Sequence, residues 1–220
     1  MRKKIYNALI LTILLLLPGN AFPQSNITVF SSYWKHRADL FRILPDSKNE
    51  ICFLGDSITD GCEWAELTGN PGCTNRGIGG DTAWGLMKRI DEVTSGKPSK
   101  VFLMIGTNDL AREKTVAEVR DKIAEIIDTI KKQSPGTVLY LQSVLPVIDS
   151  MTGNYQNKNI NPLNIELKKL AEVRNVTWID LASHFKDDSG QFKKEFTEDG
   201  LHLNGSAYKL WYSLIKRYMD

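Results

Sequence analysis

Ser57 follows four apolar residues, Ile51-Cys52-Phe53-Leu54, and the pair Gly55-Asp56. The apolar run reads as a buried strand that glycine ends abruptly, so a hydroxyl is left at the strand's carboxyl end. A serine hydroxyl attacks a carbonyl only when a base takes its proton and nearby donors hold the oxyanion that forms. A helix starting there would help, because its first backbone N–H groups have no acceptor of their own. The plainer role is that Asp56 or Ser57 caps a helix beginning near Thr59. The segment is not the Gly-x-Ser-x-Gly elbow, since Thr59 stands in place of the second glycine.

A base for Ser57 has to come from His36, His184 or His202. His36 lies between Lys35 and Arg37 and reads as a solvated surface residue. His184, in "DLASHFKDD", follows a strand and stays open. His202, in "EDGLHLN", has Asp199 three residues before it. On a tight turn that spacing lets the carboxylate accept from one imidazole nitrogen while the other faces a hydroxyl, which fixes the tautomer a base needs. The alternative is a loop pair leading into the last helix, with Asn204 as its cap. His202 is the better base.

Two further stretches offer donors. "NRGIGGDT", residues 75–82, places Gly77, Gly79 and Gly80 together. Thr82 occupies the last glycine position of Gly-x-Gly-x-x-Gly and no Lys-Ser/Thr follows, which argues against a phosphate cradle. Glycine also allows close backbone approach, so an N–H here could face a substrate oxygen. Asp81 is expected to cap a helix beginning near Thr82. In "IGTND", residues 105–109, Asn108 carries an amide that could donate to the same oxygen; a turn residue is the alternative.

The elements that must carry these residues alternate. Apolar strands are expected at 50–54, 100–106, 137–146 and 176–181, and helices at 33–43, 82–93, 115–132, 160–174 and 204–219. Strands that are continuously apolar suit a parallel sheet covered on both faces, so the architecture is α/β, a three-layer α/β/α sandwich. In such folds sites gather at the carboxyl ends of strands. The serine, glycine and asparagine motifs all sit at or just past such ends.

Residues 1–21 stand apart: Arg2, Lys3 and Lys4, an apolar stretch from Ala8 to Leu17, then Pro18-Gly19-Asn20-Ala21. That order predicts a signal peptide and export to the periplasm or outside the cell, with 22–220 as a single domain and no stable membrane insertion. Of the 28 Lys and Arg residues, three lie in this segment, leaving 25 against 26 Asp and Glu. Without a basic block, a nucleic-acid partner is not expected. Cys52 reads as a small buried hydrophobe, whereas Cys62 and Cys73 either pair or stay as thiols. No cluster of Cys and His suggests a metal, and no cofactor is implied.

Taken in order, "GDS" at 55–57, glycine at 80, "GTND" at 106–109 and "DGLH" at 199–202 resemble the SGNH (GDSL) hydrolase family. The resemblance covers nearly the whole chain after residue 21 and is nearest the branch of platelet-activating-factor acetylhydrolase catalytic subunits and bacterial sialate or carbohydrate O-acetylesterases. It implies a flavodoxin-like fold and metal-free ester hydrolysis. Ser57 would be the nucleophile, His202 the base and acid, and Asp199 its orienting carboxylate. The N–H groups of Ser57 and Gly80 and the Asn108 amide would form the oxyanion hole. The implied substrate is a short acyl ester, most simply acetyl on a carbohydrate. Trp64 and Trp84 either wall the acyl pocket or pack in the core, Asp109 is structural, and the polar loop after Pro146 either borders the site or is solvated surface. Competing readings are a lysophospholipase or thioesterase, a non-catalytic carbohydrate-binding module, and a metal phosphoesterase using Asp56, Asp109, Asp199 and His202.

Overall fold

The computed structural model describes residues 30–219; the segment expected to be a signal peptide lies outside them. In chain order the elements are α1 (Ser32–Ile43), β1 (Ile51–Gly55), α2 (Ser57–Asp60), α3 (Trp64–Thr68), β2 (Cys73–Gly77), α4 (Ala83–Met87), α5 (Ile90–Ser95), β3 (Lys100–Met104), α6 (Thr107–Ala111), α7 (Val116–Gln133), β4 (Val138–Gln142), α8 (Asn157–Val173), β5 (Thr177–Ile179), α9 (Ala182–Phe185) and α10 (Gly205–Ile215). The sheet is parallel throughout, in the order β2-β1-β3-β4-β5. This is the flavodoxin-like order, and it reverses at β1, so the loops leaving β1 and β3 part around a crevice. Among the described residues no helix is long and apolar enough to cross a membrane.

Side chains alternate along each strand, so β1 feeds two cores. Cys52 and Leu54 join Leu86, Val93, Ile123, Ile127 and Leu167 of the helices on one face. Ile51 and Phe53 join Trp64, Phe185, Trp211 and Ile215 on the other. There the rings of Trp64, Phe53, Phe102 and Tyr140 stack in series, with centroids 3.7, 5.1 and 4.6 Å apart. Register causes this: Phe53 pairs with Phe102, and Phe102 with Tyr140. Each such ring pair is worth roughly 0.5–1.5 kcal/mol beyond its buried area.

At three points the structure adds to, corrects or decides what the sequence suggested. First, β2 is a strand that apolar patterning does not reveal: "CTNRG" is mostly polar, and it lies at the sheet's edge. Second, the helix expected over 82–93 is two, α4 and α5, broken at Lys88-Arg89. Arg89 is fully buried there and donates to the carbonyls of Gly55 (3.2 Å) and Arg76 (2.9 Å), and to Asp81 and Glu92. These long-range bonds override local helix preference. Third, Cys62 and Cys73 are separate buried thiols, the latter accepting a bond from the Thr68 hydroxyl. Burial pushes both thiols up from their ordinary pKa.

Candidate active site

The Ser57 hydroxyl lies 3.0 Å from Nε2 of His202, and Nδ1 of His202 lies 2.6 Å from Oδ2 of Asp199. Two turns hold this relay. At the first, Asp56 caps α2 by accepting the Ile58 N–H, which leaves the serine side chain uncommitted to capping. At the second, Oδ1 of Asp199 accepts the N–H groups of Leu201 and His202 and the Thr197 hydroxyl, while Gly200 adopts φ +83°. Burial opposes charge on Asp199, but the His202 ring and those two N–H groups outweigh it, and its pKa falls well below the usual carboxylate value. A carboxylate so held keeps the proton on Nδ1 and leaves Nε2 to accept from Ser57. His202 and Asp199 remain about half exposed, so the relay opens to solvent.

Beside it stand the donors. As the first residue of α2, Ser57 has an N–H with no intrahelical acceptor. Gly80, at φ +74°, has an N–H without an acceptor among the described residues, and its carbonyl accepts from Arg112 at 2.9 Å. The buried Asn108 amide donates one N–H to the Asp81 carbonyl at 2.9 Å, leaving its second free. Direct bonds lock these loops together. Oδ2 of Asp60, in the turn that carries Ser57, accepts the Gly79 N–H (3.0 Å) and the Tyr33 hydroxyl (2.6 Å). A Cβ on Gly77 would lie 2.2 Å from the Asp60 nitrogen, so only glycine lets β2 pass this close to α2. The arrangement can deprotonate a hydroxyl and hold a developing oxyanion.

A family model for GDSL-like lipases and acylhydrolases matches residues 53–210, which span Ser57, Gly80, Asn108, Asp199 and His202. The chain belongs to the GDSL-like lipase/acylhydrolase family. A structure from Streptococcus pneumonia, provisionally described as a platelet activating factor, is 30% identical, with a TM-score of 0.76 over 86% of this chain and 91% of that one. A GDSL-like lipase from Bacteroides thetaiotaomicron shares the fold at 22% identity, with a TM-score of 0.74 over 84% of this chain and 96% of that one. So does an acetyl-xylooligosaccharide esterase from Geobacillus Stearmophilus at 19%, with a TM-score of 0.65 over 79% and 95%. An N-acylneuraminate cytidylyltransferase from Escherichia coli is 29% identical over 170 residues, 74% of this chain, which spans 38% of that longer protein.

This GDSL-like acylhydrolase is a carboxylic ester hydrolase, and the remaining candidates sort by position. Trp64 is no pocket wall: its ring is 1% exposed, stacks on Phe53 and donates to the Thr59 carbonyl. It supports the serine turn from beneath. Trp84 is half-buried, with Lys114 and Lys122 over its ring at 5.0 and 5.4 Å. Asp109 is structural, accepting the Ala83 N–H with both oxygens. Asp81 is not the expected cap, a role taken by Thr82; it binds the Trp34 ring N–H (2.8 Å) and Arg89 (2.9 Å) and so fixes the loop after Gly80. His36 is exposed on α1 and His184 exposed on α9, leaving His202 as the relay's base. The acidic groups of the metal reading are committed elsewhere, Asp56 and Asp109 to backbone N–H groups and Asp199 to His202. No sequence signal marks Asp60, Arg112 or Tyr155 individually, but the polar loop after Pro146 does border the site, where the Tyr155 hydroxyl donates to Oδ1 of Asn108.

Burial, with the charges of Asp81 and Asp109, raises the Asp56 pKa to about 7, although the Ile58 N–H works the other way. Burial raises Asp109 to about 6. The folded state thus holds these protons more tightly than the unfolded chain, whose aspartates titrate near ~4. The stability they contribute is complete below that value and is lost as pH rises through the folded-state values. Thermal melts are expected to show Tm falling between roughly pH 4 and 7 and levelling off above that. Asp56→Asn, which keeps an oxygen for the Ile58 N–H, flattens the fall; equal slopes in the two proteins would contradict this.

Proposed function

We propose that this esterase removes short acyl groups, chiefly acetyl, from carbohydrate through a covalent acyl-enzyme. Ser57 is the nucleophile, His202 the base and then the acid, and Asp199 the group that orients it. Ser57 Oγ forms a bond to the acyl carbon as its proton passes to Nε2 of His202. The tetrahedral oxyanion takes hydrogen bonds from the N–H groups of Ser57 and Gly80 and the second N–H of Asn108. Collapse breaks the ester C–O bond, and the sugar hydroxyl leaves with the proton from His202. Water, deprotonated by His202, attacks the acyl-serine and releases the acid, returning the proton to Ser57.

The observation that carries the mechanism is the continuous relay of 3.0 and 2.6 Å beside the Gly80 N–H, which has no acceptor among the described residues. Two features support the substrate class. The relay is open to solvent, which suits a small acyl group on a bulky polar leaving group better than a chain needing a long apolar groove. Tyr33, 46% exposed, has its ring beside Gly79 and offers a face on which a sugar could lie. The Geobacillus neighbour's acetyl-xylooligosaccharide substrate belongs to that same class. The test is acetate release from acetylated xylan, acetylated sialic acid and acetylated monosaccharides, beside p-nitrophenyl esters of increasing chain length and lysophospholipid. Acetyl esters, with at least one sugar among them, are expected to turn over fastest. Faster release of long acyl chains, with no acetate from any sugar, would overturn the substrate assignment.

A further inference from the structure

We infer that Tyr155 is a positioning residue for the reaction: its hydroxyl clamps the Asn108 amide with one N–H aimed at the oxyanion. The inference rests on the proposed role of Asn108. Both ends of that amide are held, since Nδ2 donates to the Asp81 carbonyl and Oδ1 accepts the Tyr155 O–H, each at 2.9 Å. Turned over, the amide would set Oδ1 against the Asp81 carbonyl, acceptor to acceptor, and would point no N–H at the substrate. The tyrosine also polarises the amide: a bond accepted at Oδ1 makes the N–H groups stronger donors, an effect that grows in a site shielded from water. Asn108 is 5% exposed and Tyr155 half-buried, so the contact is partly shielded in this way.

The segment bearing Tyr155 also reaches the relay. Ile148 donates its N–H to the Gly200 carbonyl at 2.9 Å, within the turn that holds His202. The Thr152 hydroxyl bridges the carbonyls of Ile148 and Tyr155, and the Tyr155 N–H returns to the Thr152 carbonyl. A Cβ on Gly200 would lie 3.0–3.2 Å from Met151, Ile148 and Thr152, so this loop lies directly on the turn. One braced segment therefore spaces the base relative to the oxyanion donors.

The test is a double-mutant cycle with p-nitrophenyl acetate, using Tyr155→Phe, Asn108→Ala and the pair. Tyr155→Phe keeps the ring and removes one hydrogen bond, so kcat should fall about 3- to 10-fold, with KM within about twofold and Tm lower by no more than a few degrees. Asn108→Ala should cost about 10²–10³ in kcat. With Asn108 gone, Tyr155→Phe should change kcat less than about twofold, because the tyrosine acts only through the amide. Full additivity of the two losses, or a loss confined to KM, would overturn the clamp while leaving Asn108 in the oxyanion hole. An Asn108→Ala variant with undiminished kcat would instead remove the role of Asn108, and the clamp with it.

Discussion

Ser57→Ala lowers kcat/KM for p-nitrophenyl acetate by about 10⁴–10⁶-fold and leaves the fold intact. The size follows from chemistry: without the hydroxyl no acyl-enzyme forms, and only binding and oxyanion donors remain to assist attack by water. The intact fold follows from the division of labour in the β1–α2 turn. Asp56 caps the helix, whereas among the described residues the serine side chain bonds only to His202. Loss of a hydroxyl from a half-exposed position opens no core cavity. The measurements are steady-state kinetics beside a thermal melt; turnover near that of the parent protein would remove the nucleophile from Ser57.

His202→Ala is expected to be nearly as severe, about 10⁴–10⁶-fold, because an unassisted serine hydroxyl is almost wholly protonated at neutral pH. The ring is half exposed, and the His202 N–H still reaches Asp199, so the turn survives the substitution. The decisive measurement is the pair: Ser57→Ala with His202→Ala should be no slower than either alone, since each already disables one shared step. Losses that multiply would show two independent contributions and break the relay. The two substitutions probe residues 145 positions apart in the chain, joined by a single hydrogen bond.

Much of the scaffold was readable locally. The runs at 51–54 and 101–104 are strands because they are apolar throughout and lie between helix layers. α7 announces itself by apolar residues at helical spacing and by Thr115 and Glu118, which form the capping box observed at its start. Other parts were hidden for identifiable reasons. β2 owes its existence to pairing with β1, register Ile51 to Cys73 through Gly55 to Gly77, and its own residues are mostly polar. The break between α4 and α5 is enforced by a buried guanidinium binding two distant carbonyls. Trp64 resembled a pocket wall only because it is near Ser57 in sequence; its ring turns into the core.

By itself the sequence determined the strand and helix types, the turn chemistry at Gly55-Asp56-Ser57 and at Asp199–His202, and the residue types able to carry ester hydrolysis. Those features depend on interactions within a few residues, which composition and spacing record. Only the tertiary structure decided that these turns meet. A parallel sheet brings the carboxyl ends of all its strands to one edge, and the reversal at β1 parts the loops there, so that Ser57, Gly80 and Asn108 gather while His202 arrives on the segment between β5 and α10. The Tyr155 contact belongs to that second class. Its hydrogen bond spans 47 residues, and no local pattern encodes a distance through space.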